Sequence, residues 1–563
     1  MANRRISRRR FLSSGAATGG VVALGVGAGG LLAGCSSGSS SSGSTTTAAA
    51  AASGTPGINT GKPKLGGTAV IGTTADIDGF FPAANHWDNN GYLYANTIYD
   101  PLMAIAADGS IQPYLAESMT PDATYTHWTL TLRSGITFSD GSPLTAQVVV
   151  NNFDALRASA LTGTALNAVT GAQATGPLTV VYTCSAPYVA LPAALTTQVG
   201  YVVGQAMLDA AKSSQSAPHP VGTGPFLYSE WQPNDHFTAT KNPNYWRSGY
   251  PYLDTITYKP IPDTSQREAT LRTGGVDLIL SIDATTVGRF EHDSSFQVVD
   301  SLSVTTGEPD MDFIMLNCAV APTNDLRIRQ ALAKGLDQAE LQKIFGGGLA
   351  QTTNGVFPKG SKYYSATDYP TYDPAGAKAL VNAYKAEHGT PVIPLVTIPD
   401  PRLARLVQIV QSMWQAVGFQ VTIKSIEQAE LISNAITGNF TAYTFEQYAA
   451  SDPSINYVWW STTTVSPVDG IGLNFARNKD PQIETALLTG RSSADEATRI
   501  AAYQTVNKLL AKDLPYVWLG QTVWSEIGDS RIQNFAGPVL PNGMKQITFD
   551  NGIFFPTQIW MEG

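Results

Sequence analysis

Apolar and polar positions recur along this chain with two periods, and each period predicts its own kind of element. In THWTLTLRSGITFSDGSPL (126–144), Trp128, Leu130 and Leu132 fall on one face, with Thr129 and Thr131 opposite. That period-two alternation predicts a half-buried strand. Turn signals at Ser134-Gly135 and Asp140-Gly141 extend it to a hairpin-like strand pair. Thr145 then stands at an N-cap position before AQVVVNNFDALR, which predicts a helix. The helical period returns in LARLVQIVQSMWQAVGF, where Leu403, Leu406, Val407, Val410, Met413 and Trp414 share a face, and a strand-like FQVTIKSI follows Gly418. Asp373-Pro374 places a capping acid before a proline at the first helical position. Asp337 with Glu340 starts another helix, and Gly346 stops it. Strands alternating with helices through the second half predict an α/β architecture.

The first residues follow neither period. SRRRFLSSGAATGGVVALGVGAGGLLAGCSS (7–37) contains G-V-G-A-G-G, which fits G-x-G-x-x-G, but it follows arginines rather than a strand and no acid lies about 20 residues on. Eight glycines between residues 15 and 34 also make it a poor permanent membrane helix. A basic segment, a modest apolar segment and a small-residue boundary together predict an export signal over residues 1–34. Arg8-Arg9 in Ser7–Leu12 resembles the twin-arginine motif, and Leu32-Ala33-Gly34-Cys35 resembles a bacterial lipobox. Cys35 is then the lipidated mature N-terminus, holding the protein on the outer face of the cytoplasmic membrane. Residues 35–66, rich in Ser, Thr, Ala and Gly, are expected to be a flexible tether.

Composition narrows the chemistry. The 563 residues carry 14% charged side chains and a net charge of −9. The arginines ahead of Cys35 are outside the mature chain, so its body is more acidic still, a poor surface for nucleic acid. Three cysteines exclude a disulfide scaffold; a Cys184–Cys318 pair and two buried thiols are the alternatives. The six histidines are isolated, and neither G-x-S-x-G nor a phosphate-binding loop occurs. No cofactor and no metal site are expected. A Ser-His-Asp triad dispersed along the chain leaves a lipid-anchored extracytoplasmic hydrolase as the alternative to a non-enzymatic receptor.

Several blocks in order resemble one family, the extracellular solute-binding proteins of family 5, which include dipeptide-, oligopeptide- and nickel-binding receptors of ABC importers. The blocks are IYDPLMAIAADGSIQPYLAES (98–118), LRSGITFSDGSPLTA (132–146), VGTGPF (221–226) leading to NPNYW (242–246), YLDTITYKPIPDTSQREATLRTGGVDLI (252–279), DLRIRQALAKGLDQAEL (325–341) and YDPAGAKALV (372–381). The resemblance implies a two-lobed periplasmic-binding-protein-like fold of the peptide-binding type, hinged, with an extra subdomain in the first lobe. Lobe I is expected at 67–305 plus 513–563, its extra subdomain at 101–217, and lobe II at 306–512. It also implies a monomer that binds a peptide or similar small solute between the lobes and delivers it to a permease driven by an ATPase subunit. In peptide-binding members an acid in D-Y-x-D/E-P faces the ligand's ammonium. Aligning Asp452-Pro453 with the acid-Pro pair puts Ala449 at that position. Candidate ligand contacts are therefore Phe445, Glu446, Tyr448, Asp452 and Trp459 in FEQYAASDPSINYVWW, with Asn85 and Trp87 beside His86, and Arg402 in TIPDPR. Sugars and metal chelates remain alternative ligands for the same receptor fold.

Overall fold

The computed structural model describes residues 57–58, 61–159, 161–213, 219–301, 309–347, 349, 351–447, 450, 452–467, 470–547 and 553–562. Cys35, Tyr448 and Ala449, with the export signal, lie outside the described residues.

Strands buried on both faces read as continuous apolar runs. LILS (278–281) and MDFIML (311–316) are of this kind and sit inside their sheets, while the equally buried YVWLGQ (516–521) lies at a sheet edge. Lobe I is built on a mixed seven-stranded sheet. Its order is Phe296–Asp300, Ser525–Asp529, Leu278–Ser281, Thr68–Thr73, Thr255–Pro260, His236–Lys241 and Phe226–Gln232. Thr68–Thr73 is parallel to both its neighbours, while the outer pairs are antiparallel. Leu93, Tyr94, Phe237, Tyr258 and Leu280 form the core on one face, and Ile279, Phe290 and Ile527 pack on the other.

Lobe II holds a five-stranded sheet in the order Gln420–Ser425, Val392–Thr397, Ala442–Gln447, Met311–Leu316 and Tyr516–Gln521. The amphipathic helix forms over Pro401–Ala416 and buries Leu406, Val407, Val410 and Trp414. Asp337 and Asp373 cap their helices as read, accepting from the Glu340 and Gly376 amides. The return to lobe I falls between Gln521 and Ser525 rather than at 513. Tyr516–Gln521 pairs with Met311–Leu316, so it belongs to the lobe II sheet.

The extra subdomain carries an antiparallel sheet in the order Ala116–Pro121, His127–Leu132, Thr179–Cys184 and Val169–Gly176. Trp128, Leu130 and Leu132 are buried on one face, as the alternation requires. The hairpin partner is corrected. Residues 136–144 make only a single bridge, Thr137 to Pro143, and His127–Leu132 pairs instead with 116–121 and 179–184. Of the tether expected over 35–66, residues 35–56 lie outside the described residues, and its end is held to lobe I. Gly57, at φ +70, donates to Gln297 Oε1 (3.1 Å) and accepts from the Ala536 amide (3.0 Å), and Ile58 packs on the lobe I core.

The family-like blocks meet at one buried carboxylate. Asp100, from the YDPL block, accepts from Tyr245 Oη (3.1 Å), Trp246 Nε1 (2.8 Å) and Thr223 Oγ1 (3.3 Å). Burial pushes its carboxyl up to about 7, against the pull of the Trp246 hydrogen bond and the Arg247 charge. The glycines of G-T-G-P serve close approach: a Cβ at Gly222 or Gly224 would run into the Ile98 backbone.

Candidate ligand-binding cleft

Two segments carry the chain between lobes, and they are tied to each other. The Trp524 amide donates to Ser301 Oγ (3.1 Å) and its indole to Asp310 Oδ2 (3.1 Å). The Ser301 amide returns a bond to the Trp524 carbonyl (2.9 Å), and the Thr522 amide donates to the Asp310 carbonyl (3.0 Å).

Beside this hinge lies a small cavity of about 20 Å³, lined from lobe I by Ile282 and Ala284 and from lobe II by Asp312, Gln342 and Arg402. The lobes approach closely here. Gly347, at φ +56, has no room for a Cβ, which would lie 2.7 Å from the Ala284 carbonyl oxygen.

The charged side chains at the pocket come from the ends of regular elements. Asp400 caps the helix Pro401–Ala416 through the Leu403 amide (2.8 Å), which places Arg402 in its first turn. Arg402 Nη2 lies 3.5 Å from Asp312 Oδ2, and the two side chains are 17% and 19% exposed. Glu446 is the direct cross-strand partner of Asp312. Like charges so placed repel. Burial, then Asp312 and Asp310, hold the Glu446 carboxyl well above the usual range, with Arg402 pulling the other way. Burial disfavours the Arg402 cation, but Asp312, Glu446, Asp283 and Asp400 outweigh it and raise its pKa. Arg402 Nε is buried without a hydrogen-bond partner. Such a site offers a polar ligand one donor fork and two acidic side chains, of which Glu446 is held toward its protonated form.

Four sequence candidates fall on the two faces of the lobe II sheet. Glu446 and Arg402 share the charged cluster. Phe445, next to Glu446, packs on Phe313 (6.1 Å between centroids) and Phe475 (6.0 Å), and Trp459 packs on the same Phe475 (5.2 Å). Both rings are half-buried. The other described candidates have local roles. Asp452 Oδ1 caps the Ser454 amide (2.9 Å) and its Oδ2 pairs with Arg499 Nη2. Asn85 accepts from the Phe81 amide (2.9 Å) and donates to the Asp78 carbonyl (2.9 Å), which closes its own loop. His86 Nδ1 lies 3.1 Å from Asp78 Oδ2, a hydrogen bond that raises its pKa. Trp87 is in the lobe I core, stacked on Tyr99 and edge-on to Tyr201. Asp312, Asp310 and Trp524 escaped the sequence reading. The available signal was an acid inside the otherwise apolar MDFIML.

Cys184 and Cys318 are free thiols in different lobes, each pushed up to about 11 by burial, so the disulfide alternative is corrected. Among the described residues, no group of three His, Cys, Asp or Glu side chains is placed to hold a metal ion, and no helix is long and apolar enough to cross a membrane.

Two α/β lobes, joined by a paired crossing and enclosing a charged pocket at their boundary, define a hinged solute-binding protein. The family is equally clear. The model of the bacterial extracellular solute-binding proteins, family 5, matches residues 110–467, and the chain belongs to that family. It is similar to the glutathione-binding protein GsiB of Pectobacterium atrosepticum, 24% identical over 452 residues covering 78% of this chain and 86% of the relative. Among solved structures it resembles DppA of Helicobacter pylori with the peptide STSA, at TM-score 0.78 and 21% identity, covering 89% of this chain and 99% of that one. AppA of Bacillus subtilis with a nonapeptide matches at 0.76 and 20% identity, covering 89% and 100%. NikA of Brucella suis with Fe(III)-EDTA matches at 0.72 and 22% identity, covering 88% and 100%. The protein is a substrate-binding component of an ABC importer, and its relatives are receptors rather than enzymes.

Proposed function

We propose that the protein captures a peptide or similar small solute between its lobes, outside the membrane, and hands it to a permease worked by an ATPase subunit. Cys35 anchors it by lipid to the outer face of the cytoplasmic membrane, and it works as a monomer without enzymatic activity. Arg402 and Glu446 read the ligand's polar ends; Phe445 and Trp459, on the other face of the sheet, supply apolar walls beyond its edge, with Tyr448 and Asp452 on the same segment. One observation carries the reading: Arg402 and Asp312 line a cavity bounded by both lobes, with Glu446 paired to Asp312 across the strands. A ligand that touches both lobes favours the closed form by its differential affinity.

A thermal-shift screen with short peptides, glutathione, sugars and metal chelates tests this. A peptide at 100 times its Kd stabilises by about 2.7 kcal/mol. A shift with sugars or chelates alone would move the ligand class, and turnover of a chromogenic ester without any shift would favour the hydrolase. Equal affinity for free and N-acetylated peptides would show that Glu446 reads no ammonium.

A further inference from the structure

The lobes also meet at a contact that shares no residue with the hinge. Tyr188 belongs to the extra subdomain, where its carbonyl accepts from Trp128 Nε1 (3.0 Å) and its amide donates to the Tyr125 carbonyl (3.0 Å). Arg491 lies in the last turn of the lobe II helix Pro481–Ser492. Its guanidinium carbon is 4.2 Å from the Tyr188 ring centroid and 4.6 Å from that of Tyr457. The cation is thus held by two rings, one from each lobe. The next residue on the subdomain side adds a backbone bond, the Val189 amide donating to the Arg491 carbonyl (3.1 Å). Arg491 is 8% exposed, and its Nε has no hydrogen-bond partner. A guanidinium tolerates this because it is weakly hydrated and stacks well on aromatic faces.

The lobe II half of this contact is fixed by the segment that carries Phe445, Glu446 and Trp459. Tyr457 lies on that segment, and its hydroxyl donates to Glu484 Oε1 (2.6 Å) on the helix that bears Arg491. Asp452 pairs with Arg499, and Arg499 Nη1 donates to the Gly490 carbonyl (2.6 Å), the residue before Arg491. The ring and the backbone that present the cation are therefore both set by residues 452–457.

We infer that Arg491 is a closure latch, a positioning residue whose cation is captured by Tyr188 only when the lobes are shut. When the lobes part, Tyr188 and the Val189 amide leave with lobe I and the guanidinium returns to water. The latch adds to the closed state without touching the ligand. The inference rests on ligand capture by lobe closure, as proposed above.

The test is a distance measurement between spin labels on non-canonical residues replacing the exposed Ala123 of the subdomain and Ala494 of lobe II. It is made without ligand and with the tetrapeptide Ser-Thr-Ser-Ala. Losing one desolvated cation–π contact should lower the closed-to-open ratio about ten- to thirtyfold in Arg491→Ala and in Tyr188→Leu. Arg491→Lys, which keeps the charge and the fold but loses the flat stacking surface, should fall between wild type and Arg491→Ala. Distance distributions that superimpose for wild type and all variants in both conditions overturn the latch. Because the readout is a distance, a tetrapeptide that fails to bind refutes the ligand assignment and leaves the comparison of variants decisive.

Discussion

Asp100 converts the convergence of the family blocks into a measurable pH dependence. Its carboxyl is 2% exposed, and its folded pKa is raised from 3.8 to about 7 chiefly by burial. An acid that holds its proton longer in the folded state contributes stability that is fully present below 3.8 and is lost as pH rises through about 7. A shift of about 3 units at ~1.36 kcal/mol each makes the loss about 4 kcal/mol. Asp100→Asn cannot ionise and lacks this slope. It also sets amide hydrogens against the Trp246 indole or Thr223 hydroxyl, a pH-independent cost of about 1–3 kcal/mol. At pH 4 the variant should therefore be the less stable protein. Between pH 4 and 7 the gap should close by about 4 kcal/mol and reverse. For a body of this size one kcal/mol moves Tm by about 1 °C, so circular dichroism melts at pH 4, 5, 6, 7 and 8 should show the difference sliding by about 4 °C. A difference that stays flat over that range refutes the buried ionisation.

Two further changes probe other links. Glu526 is 0% exposed between Leu280 and Val299, and neither carboxylate oxygen has a hydrogen-bond partner. Burial holds its carboxyl well above 4.5, so wild type loses stability as pH rises above that value. Glu526→Met should raise Tm by about 1–3 °C at pH 5 and by more at pH 8; a lower Tm at pH 8 would sink this account. Gly347→Ala adds a Cβ against the Ala284 carbonyl at a left-handed φ. It should leave the circular dichroism spectrum intact but at least halve the ligand-induced thermal shift, and an undiminished shift would mean that the lobes do not need this approach.

The sequence was most informative where one residue and its neighbours decide the outcome. Asp337, Asp373 and Gly346 mark helix ends through bonds made within a turn, so their reading needs no tertiary knowledge. Trp128, Leu130 and Leu132 announce a buried face correctly, but alternation says nothing about which strand lies alongside, and the partner at 179–184 is supplied by distant chain. Asp312 is the sharper case. One acid in an apolar strand acquires meaning only when Glu446 is placed opposite it and Arg402 above, and that pairing is set by sheet order. Asp452-Pro453 shows the reverse problem. The same dipeptide suits a ligand contact or a helix cap with an ion pair, and only the position of Arg499 shows the second arrangement.

The paired crossing at Ser301, Asp310 and Trp524 has a consequence for delivery. Ser301 and Asp310 on one crossing are bonded to Thr522 and Trp524 on the other, so the two crossings are expected to bend together about essentially one axis. Solutes of different shape then change how far the lobes travel along that path, not its direction. The permease meets the same outer face whatever the cargo, so a pocket can drift toward new solutes without renegotiating its docking partner.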